Sequence, residues 1–207
     1  MDLDEALAAL PLIAILRGLQ PQEAVDVTTA LHDAGFRIVE VPLNSPSPLS
    51  SIERIVRRFE GRMLIGAGTV LEIGALADVA AAGGRLIVSP NFEEEVVRSA
   101  KRKGLISVPG VATPSEAFAA LAAGADAIKL FPAEMITPAV LRSLRAVLPK
   151  EAKLIPVGGI TPANIAAYLE AGADGFGIGS ALFRSGKSIA DIARAASAFV
   201  EAVRRRS

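Results

Sequence analysis

Short runs of Ile, Val and Leu alternate with longer amphipathic stretches along the whole chain. Eight such runs stand out: Leu12 to Leu16, Phe36 to Val41, Met63 to Ile65, Leu86 to Val88, Leu105 to Val108, Ala127 to Phe131, Leu154 to Val157 and Gly175 to Ile178. Apolar runs of this kind read as buried parallel strands. Between them, Ala24 to Ala34, Glu93 to Lys103, Ser115 to Ala123 and Ala163 to Ala171 have the spacing of helices. The alternation predicts right-handed strand-helix-strand crossovers and a parallel sheet. Gly35, Gly61, Gly83, Gly104, Gly124, Pro149 and Gly172 punctuate the predicted helix ends at intervals of 20 to 26 residues, so one unit takes about two dozen residues. Eight units leave room only for an N-terminal helix, Leu3 to Leu10, and a C-terminal one ending near Arg206.

The expected fold is therefore α/β, a (β/α)8 TIM barrel with an additional N-terminal helix, in one domain over residues 1–207. Helix entries agree: Thr113-Pro114-Ser115-Glu116 is a capping box, and Thr137-Pro138 and Thr161-Pro162 repeat the Thr-Pro start. An open doubly wound sheet would need a Gly-rich turn after the first strand, which Arg17-Gly18 does not supply.

Composition narrows the chemistry. The 207 residues carry 22 Lys+Arg against 22 Asp+Glu, one His and no Cys or Trp. A balanced charge argues against a nucleic-acid or anionic-membrane partner, and Arg204-Arg205-Arg206 reads as a solvated helix end. Without Cys, and with His32 alone on a predicted helix, thiolate or multi-imidazole zinc sites and Ser-His-Asp catalysis have no residues to use. No metal and no cofactor are expected. The acidic start, Met1 to Glu5, lacks a secretory pattern, and no apolar run approaches a membrane span, so a cytoplasmic location is expected.

In a barrel the active site forms where strands end. Those ends carry Arg17, Glu40 with Asn44, Gly66-Ala67-Gly68-Thr69, Ser89-Pro90-Asn91, Pro109-Gly110, Lys129, Gly158-Gly159 and Gly179-Ser180. Period two puts Ala127, Lys129 and Phe131 on one face. A lysine buried there loses its ammonium preference and becomes an amine able to attack a carbonyl. An ion pair with Glu40, or a lysine reaching solvent, is the alternative. Glu40 shares a face with Ile38 and is the only carboxylate in the eight runs; beside a Schiff-base lysine it can shuttle protons, or else merely balance Lys129 or Arg17. Arg17 suits a substrate carboxylate, and equally a salt bridge to Glu40. Thr69 is either a further contact or a helix cap. Gly158, Gly159, Gly179 and Ser180 occupy the loops where barrels hold phosphate, with Ser180 to Phe183 expected as a short helix. The rim thus implies a phosphorylated 2-oxo acid as substrate.

These residues, with Ile15-Leu16-Arg17-Gly18, Val39-Glu40-Val41-Pro42-Leu43, Gly66-Ala67-Gly68-Thr69-Val70, Ser89-Pro90-Asn91, Lys129-Leu130-Phe131-Pro132-Ala133 and Gly158-Gly159-Ile160, make the chain resemble the class I 2-dehydro-3-deoxy-phosphosugar-acid aldolases over nearly its whole length. The resemblance implies Lys129 as Schiff-base lysine, Glu40 as general acid and base, Arg17 and Thr69 on the carboxylate, and Gly158, Gly159, Gly179 and Ser180 on the phosphate. It implies cleavage of a phosphorylated 2-oxo sugar acid to pyruvate and glyceraldehyde 3-phosphate by a homotrimer. Asn44-Ser45-Pro46 and Val157 look like the galactonate-acting branch rather than the gluconate-acting one, so Val157, Asn44 and Phe131 are the expected specificity positions. A Val where a Thr would stand removes one hydrogen bond to a substrate hydroxyl at C4. Rival readings are a gluconate or hydroxyglutarate aldolase, a non-covalent phosphosugar isomerase or epimerase, and a phospho-ligand binder without catalysis.

Overall fold

The computed structural model describes residues 1–205, so Arg206, the expected end of the last helix, lies outside the described residues. The strands are β1 (Leu12–Ile15), β2 (Ile38–Pro42), β3 (Leu64–Gly68), β4 (Leu86–Val88), β5 (Ile106–Val108), β6 (Gly110–Val111), β7 (Ile128–Leu130), β8 (Leu154–Pro156) and β9 (Phe176–Ile178). The helices are α1 (Leu3–Ala9), α2 (Ala24–Ala34), α3 (Pro48–Phe59), α4 (Gly74–Ala81), α5 (Glu94–Arg102), α6 (Pro114–Ala122), α7 (Pro138–Val147), α8 (Ile165–Glu170) and α9 (Ile189–Arg204). The chain is an α/β protein with parallel strands and an N-terminal helix.

Every strand pair is parallel. One sheet runs in the order β5-β4-β3-β2-β1-β9 and a second β6-β7-β8. Past the fifth apolar run, Leu105 to Val108, which holds β5, the extended chain continues into β6, and the two are separated by Pro109, which has no N–H to give a ladder. Its carbonyl still accepts from Lys129 N–H at 2.9 Å, so the run pairs with β4 on one side and β7 on the other. At the other end of the second sheet, Val157 bridges to Gly177 in parallel sense, bringing β8 to β9.

Period two sorts the strand side chains into two buried clusters. Leu12, Ala14, Leu16, Val39, Val41, Ile128, Leu130 and Leu154 face the helices. Ile13, Ile15, Ile38, Leu64, Leu86, Ile106, Ala127, Ile155 and Val157 form a separate inner cluster, joined by Leu3, Ala6 and Leu7 of α1. The N-terminal helix is thus part of the inner packing, held at its start by a capping box between Asp2 and Glu5. Gly66 in β3 serves close backbone approach, since a Cβ there would lie 1.9 Å from Leu86 O.

Two expected helix features differ. Thr161-Pro162-Ala163 forms a turn rather than the first helical residues, with Asn164 Oδ1 accepting from Thr161 N–H at 2.9 Å, and α8 begins at Ile165. Ser180 to Phe183 is a single turn, in which Gly179 O accepts from Leu182 and Phe183 N–H at 2.9 and 3.0 Å. The capping box at Thr113 is formed in full: Thr113 Oγ1 accepts from Glu116 N–H and the Glu116 carboxylate accepts from Thr113 N–H and Ala112 N–H. Thr113→Ala removes the cap and is expected to cost about 1 kcal/mol; thermal unfolding should move down by roughly 2–4 °C.

Candidate active site

The inner face of the strands turns polar toward their C-terminal ends. In β2, Glu40 continues the face of Ile38, and in β7, Lys129 continues that of Ala127; they are the only ionisable residues within the nine strands. Both are buried, Glu40 at 2% and Lys129 at 6% exposure. Above them opens a cavity of about 200 Å³ whose wall includes Ile15, Arg17, Glu40, Pro90, Lys129, Phe131, Glu134, Val157, Gly158, Gly159, Gly179 and Ser180. The structure therefore gathers Arg17, Glu40, Lys129 and the two glycine-bearing strand ends around one opening, while Gly66 to Thr69 and Pro109-Gly110 lie outside its lining.

Burial sets the charge states. It pushes the Glu40 carboxyl up from 4.5 to about 7, against the pull of Lys129 and Arg17. Glu40 Oε2 has no hydrogen-bond partner. Burial likewise pulls the Lys129 ammonium down from its ordinary range, Glu40 opposes the change, and Arg17 adds to it. Lys129 Nζ stands 4.8 Å over the Phe131 ring centroid, and among the described residues no ion pair joins it to Glu40. The pairing that could have made these two groups structural ballast is absent. Room for the Glu40 carboxyl comes from Gly68, where a Cβ would fall 1.7 Å from Oε2.

Arg17 is exposed and tethered from the side. Its Nη1 donates to Asn44 Oδ1 at 2.7 Å and its Nη2 to Thr69 Oγ1 at 3.4 Å, while Gly18 N–H donates to the buried Ser45 Oγ at 2.9 Å. Asn44 and Thr69 touch the guanidinium and are not among the residues that line the cavity. Thr69 sits at φ +56, a left-handed conformation costly for a β-branched residue. It is not a helix cap, because α4 starts only at Gly74.

Gly158 and Gly159 both have positive φ, at +106 and +60. Among the described residues no acceptor is paired with the amides of Gly159, Ser180 and Ala181, leaving donors at this end of the cavity. Val157 packs on Gly177, where a Cβ would meet its Cγ2 at 2.6 Å. His32 lies on α2 with its ring 5.3 Å from that of Phe59, away from the cavity.

Two residues escaped the sequence reading. Glu134 overlies the glycine pair, its Oε2 2.4 Å from where a Gly158 Cβ would be. Tyr168, the one tyrosine, donates its hydroxyl to Ala133 O at 2.9 Å and so pins the loop that carries Glu134. A carboxylate five residues past Lys129 was a visible signal; the tyrosine gave none.

Comparison with known proteins agrees with this architecture. The chain is 48% identical to 2-dehydro-3-deoxy-6-phosphogalactonate aldolase of Escherichia coli (strain K12) over 195 residues, 94% of this chain and 95% of that one. It is 48% identical over 192 residues to the probable 2-dehydro-3-deoxy-6-phosphogalactonate aldolase of Rhizobium meliloti (strain 1021), covering 93% and 91% of the two chains. A solved structure described as native KDPGal superposes with a TM-score of 0.93 over 95% of each chain, at 48% identity. The family profile described as "Aldolase: KDPG and KHG aldolase" matches residues 3–196. With that match spanning both the inner-face lysine and the inner-face carboxylate, the chain belongs to the KDPG and KHG aldolase family.

Proposed function

We infer that the protein is a class I aldolase cleaving 2-dehydro-3-deoxy-6-phosphogalactonate to pyruvate and D-glyceraldehyde 3-phosphate. The observation that carries the reading is a buried lysine and a buried carboxylate, unpaired with each other, at the floor of one small cavity. The 48%-identical relatives named for this substrate support it. The two sheets are read as one closed (β/α)8 barrel in a single domain, supported by the run shared across Pro109 and by the Val157–Gly177 bridge. The reading includes a cytoplasmic enzyme and a homotrimer, as the family resemblance implies. Among the described residues no helix is long and apolar enough to cross a membrane.

The residues divide the reaction as follows. Lys129 Nζ, its ammonium destabilised by burial, adds to the C2 ketone; loss of water gives an iminium. Arg17, aimed by Asn44 and Thr69, holds the C1 carboxylate. Glu40 accepts the C4 hydroxyl proton, through a water, as the C3–C4 bond breaks and its electron pair passes into the iminium to form an enamine. The aldehyde product leaves from Gly158, Gly159, Gly179 and Ser180. Protonation at C3 and hydrolysis then free pyruvate and restore the amine. Val157 and Phe131 flank the reacting carbons and shape the choice between C4 epimers.

Borohydride reduction in the presence of pyruvate should fix one pyruvate-derived adduct per chain, mapped to Lys129 by peptide mass. An adduct that persists in Lys129→Ala, or none in the parent, would sink the assignment. Glu40→Gln is expected to lower kcat by about 10²–10⁴-fold while still trapping pyruvate. The parent's kcat/KM should climb with pH through about 7, as Glu40 ionises to its basic form. The same group predicts a stability effect: its folded pKa is raised, so the native state holds the proton more tightly and stability falls as pH rises from about 4.5 to about 7. Glu40→Gln should therefore melt above the parent at pH 8, the gap closing as pH approaches 5. Val157→Thr should shift the ratio of kcat/KM for the two C4 epimers toward the gluconate compound by roughly tenfold, the worth of one hydrogen bond; an unchanged ratio would remove Val157 from the specificity set.

A further inference from the structure

The loop between β9 and α9 contains two cations with no part in the scheme above. Arg184 Nε donates to Ser180 O at 3.0 Å, and Lys187 Nζ to Leu182 O at 2.8 Å and Ala181 O at 3.3 Å. All three carbonyls belong to the single turn that starts at Gly179, and Gly179 and Ser180 line the cavity. In a trans peptide unit the C=O and N–H point in opposite directions. The Ser180 carbonyl is therefore rigidly linked to the Ala181 amide, and the Ala181 and Leu182 carbonyls to the amides of Leu182 and Phe183. The latter two amides close the turn on Gly179 O, whereas those of Ser180 and Ala181 meet no acceptor among the described residues. The turn thus has cations on its carbonyl side and open donors on its amide side.

We propose that Lys187 and Arg184 are positioning residues for substrate phosphate, holding this turn from behind and lending it positive potential. The inference rests on the phosphate reading of Gly158, Gly159, Gly179 and Ser180. None of those four residues carries a charge, and the ionisable side chain against the glycine pair is Glu134, an acid. A phosphate dianion seated there meets amide dipoles and a hydroxyl, and dipoles bind anions better when their negative ends are neutralised. A guanidinium and an ammonium on the carbonyl oxygens supply that neutralisation without entering the cavity.

The test uses Lys187→Met, Arg184→Met and the double variant, with steady-state kinetics on 2-dehydro-3-deoxy-6-phosphogalactonate and borohydride inactivation with pyruvate alone. Each single change is expected to raise KM about 3- to 10-fold, leaving kcat and the pyruvate inactivation rate at parental values, and Lys187→Arg should restore KM. An unchanged KM in the double variant overturns the inference. So does an equal loss of kcat and pyruvate trapping, which would mark a purely structural loop. Ser180→Asp separates this inference from its foundation: it should raise KM by placing a carboxylate in the cradle. If it does and the cation variants do not, only the cation inference fails; if it does not, the phosphate reading falls and takes the inference with it.

Discussion

A carboxyl and an amine share the buried inner face of this protein without an ion pair between them. Elsewhere in the molecule opposite charges do meet, as in Lys101 with Asp126 at 2.6 Å and Lys153 with Asp4 at 2.8 Å. For Glu40 and Lys129, burial outweighs the attraction and moves each group toward its neutral form. Burial brings the acid up to about 7 and weakens the amine's hold on its proton, shifts that favour proton transfer at the first and carbonyl addition at the second. Much of the nearby structure preserves that separation. Asn44 and Thr69 draw the Arg17 guanidinium to one side, and Gly68 leaves the carboxyl space that any side chain would fill.

The scaffold achieves this by strict alternation. Ile13 and Ile15 of β1 and Ile155 of β8 belong to the inner cluster, and the charged pair continues two further rows of that face, Glu40 after Ile38 of β2 and Lys129 of β7 after Ala127. Glycine appears on this face where neighbours crowd: at Gly66 against Leu86, at Gly177 against Val157, and at Gly110, where a Cβ would lie 2.3 Å from Pro90 O. The motif Gly66-Ala67-Gly68 thus records two separate close approaches, one by backbone and one by the catalytic carboxyl of the proposed mechanism. Thr69 then takes a left-handed backbone immediately after it, where the chain leaves the sheet.

Strand identity and facing were readable from the chain because period two is a local property: Glu40 after Ile38 and Lys129 after Ala127 have no other face to occupy. Helix starts were readable where a side chain closes the cap, as at Thr113, and misjudged where Asn164 closes a turn first. The division at Pro109 was implicit in a residue without an N–H, although its effect on two ladders depends on neighbours far along the chain. What the sequence hid is side-chain aim. That Asn44, read as a specificity position, also accepts from Arg17 was not visible in the chain; Glu134 was passed over because spacing does not say where a loop residue after a proline will point. The short helix expected over Ser180 to Phe183 is a single turn whose carbonyls accept from the Arg184 and Lys187 side chains rather than from following amides.

One feature of the fold bears on the order of events. Leu3, Ala6 and Leu7 of α1 join the inner cluster and stop the space between the strands at its N-terminal end. On the closed-barrel reading proposed above, the interior is a pouch, entered and left through the same mouth. On the proposed chemistry the three-carbon acid stays covalently attached at the floor while the phosphorylated aldehyde lies nearer the opening, so the two products cannot exchange places. Release is then compulsory in sequence, aldehyde before acid, and the free enzyme is the form that pyruvate meets. Pyruvate as product would compete with substrate for the empty pouch, whereas the aldehyde would address only the enzyme already carrying the acid, giving the two products different inhibition patterns.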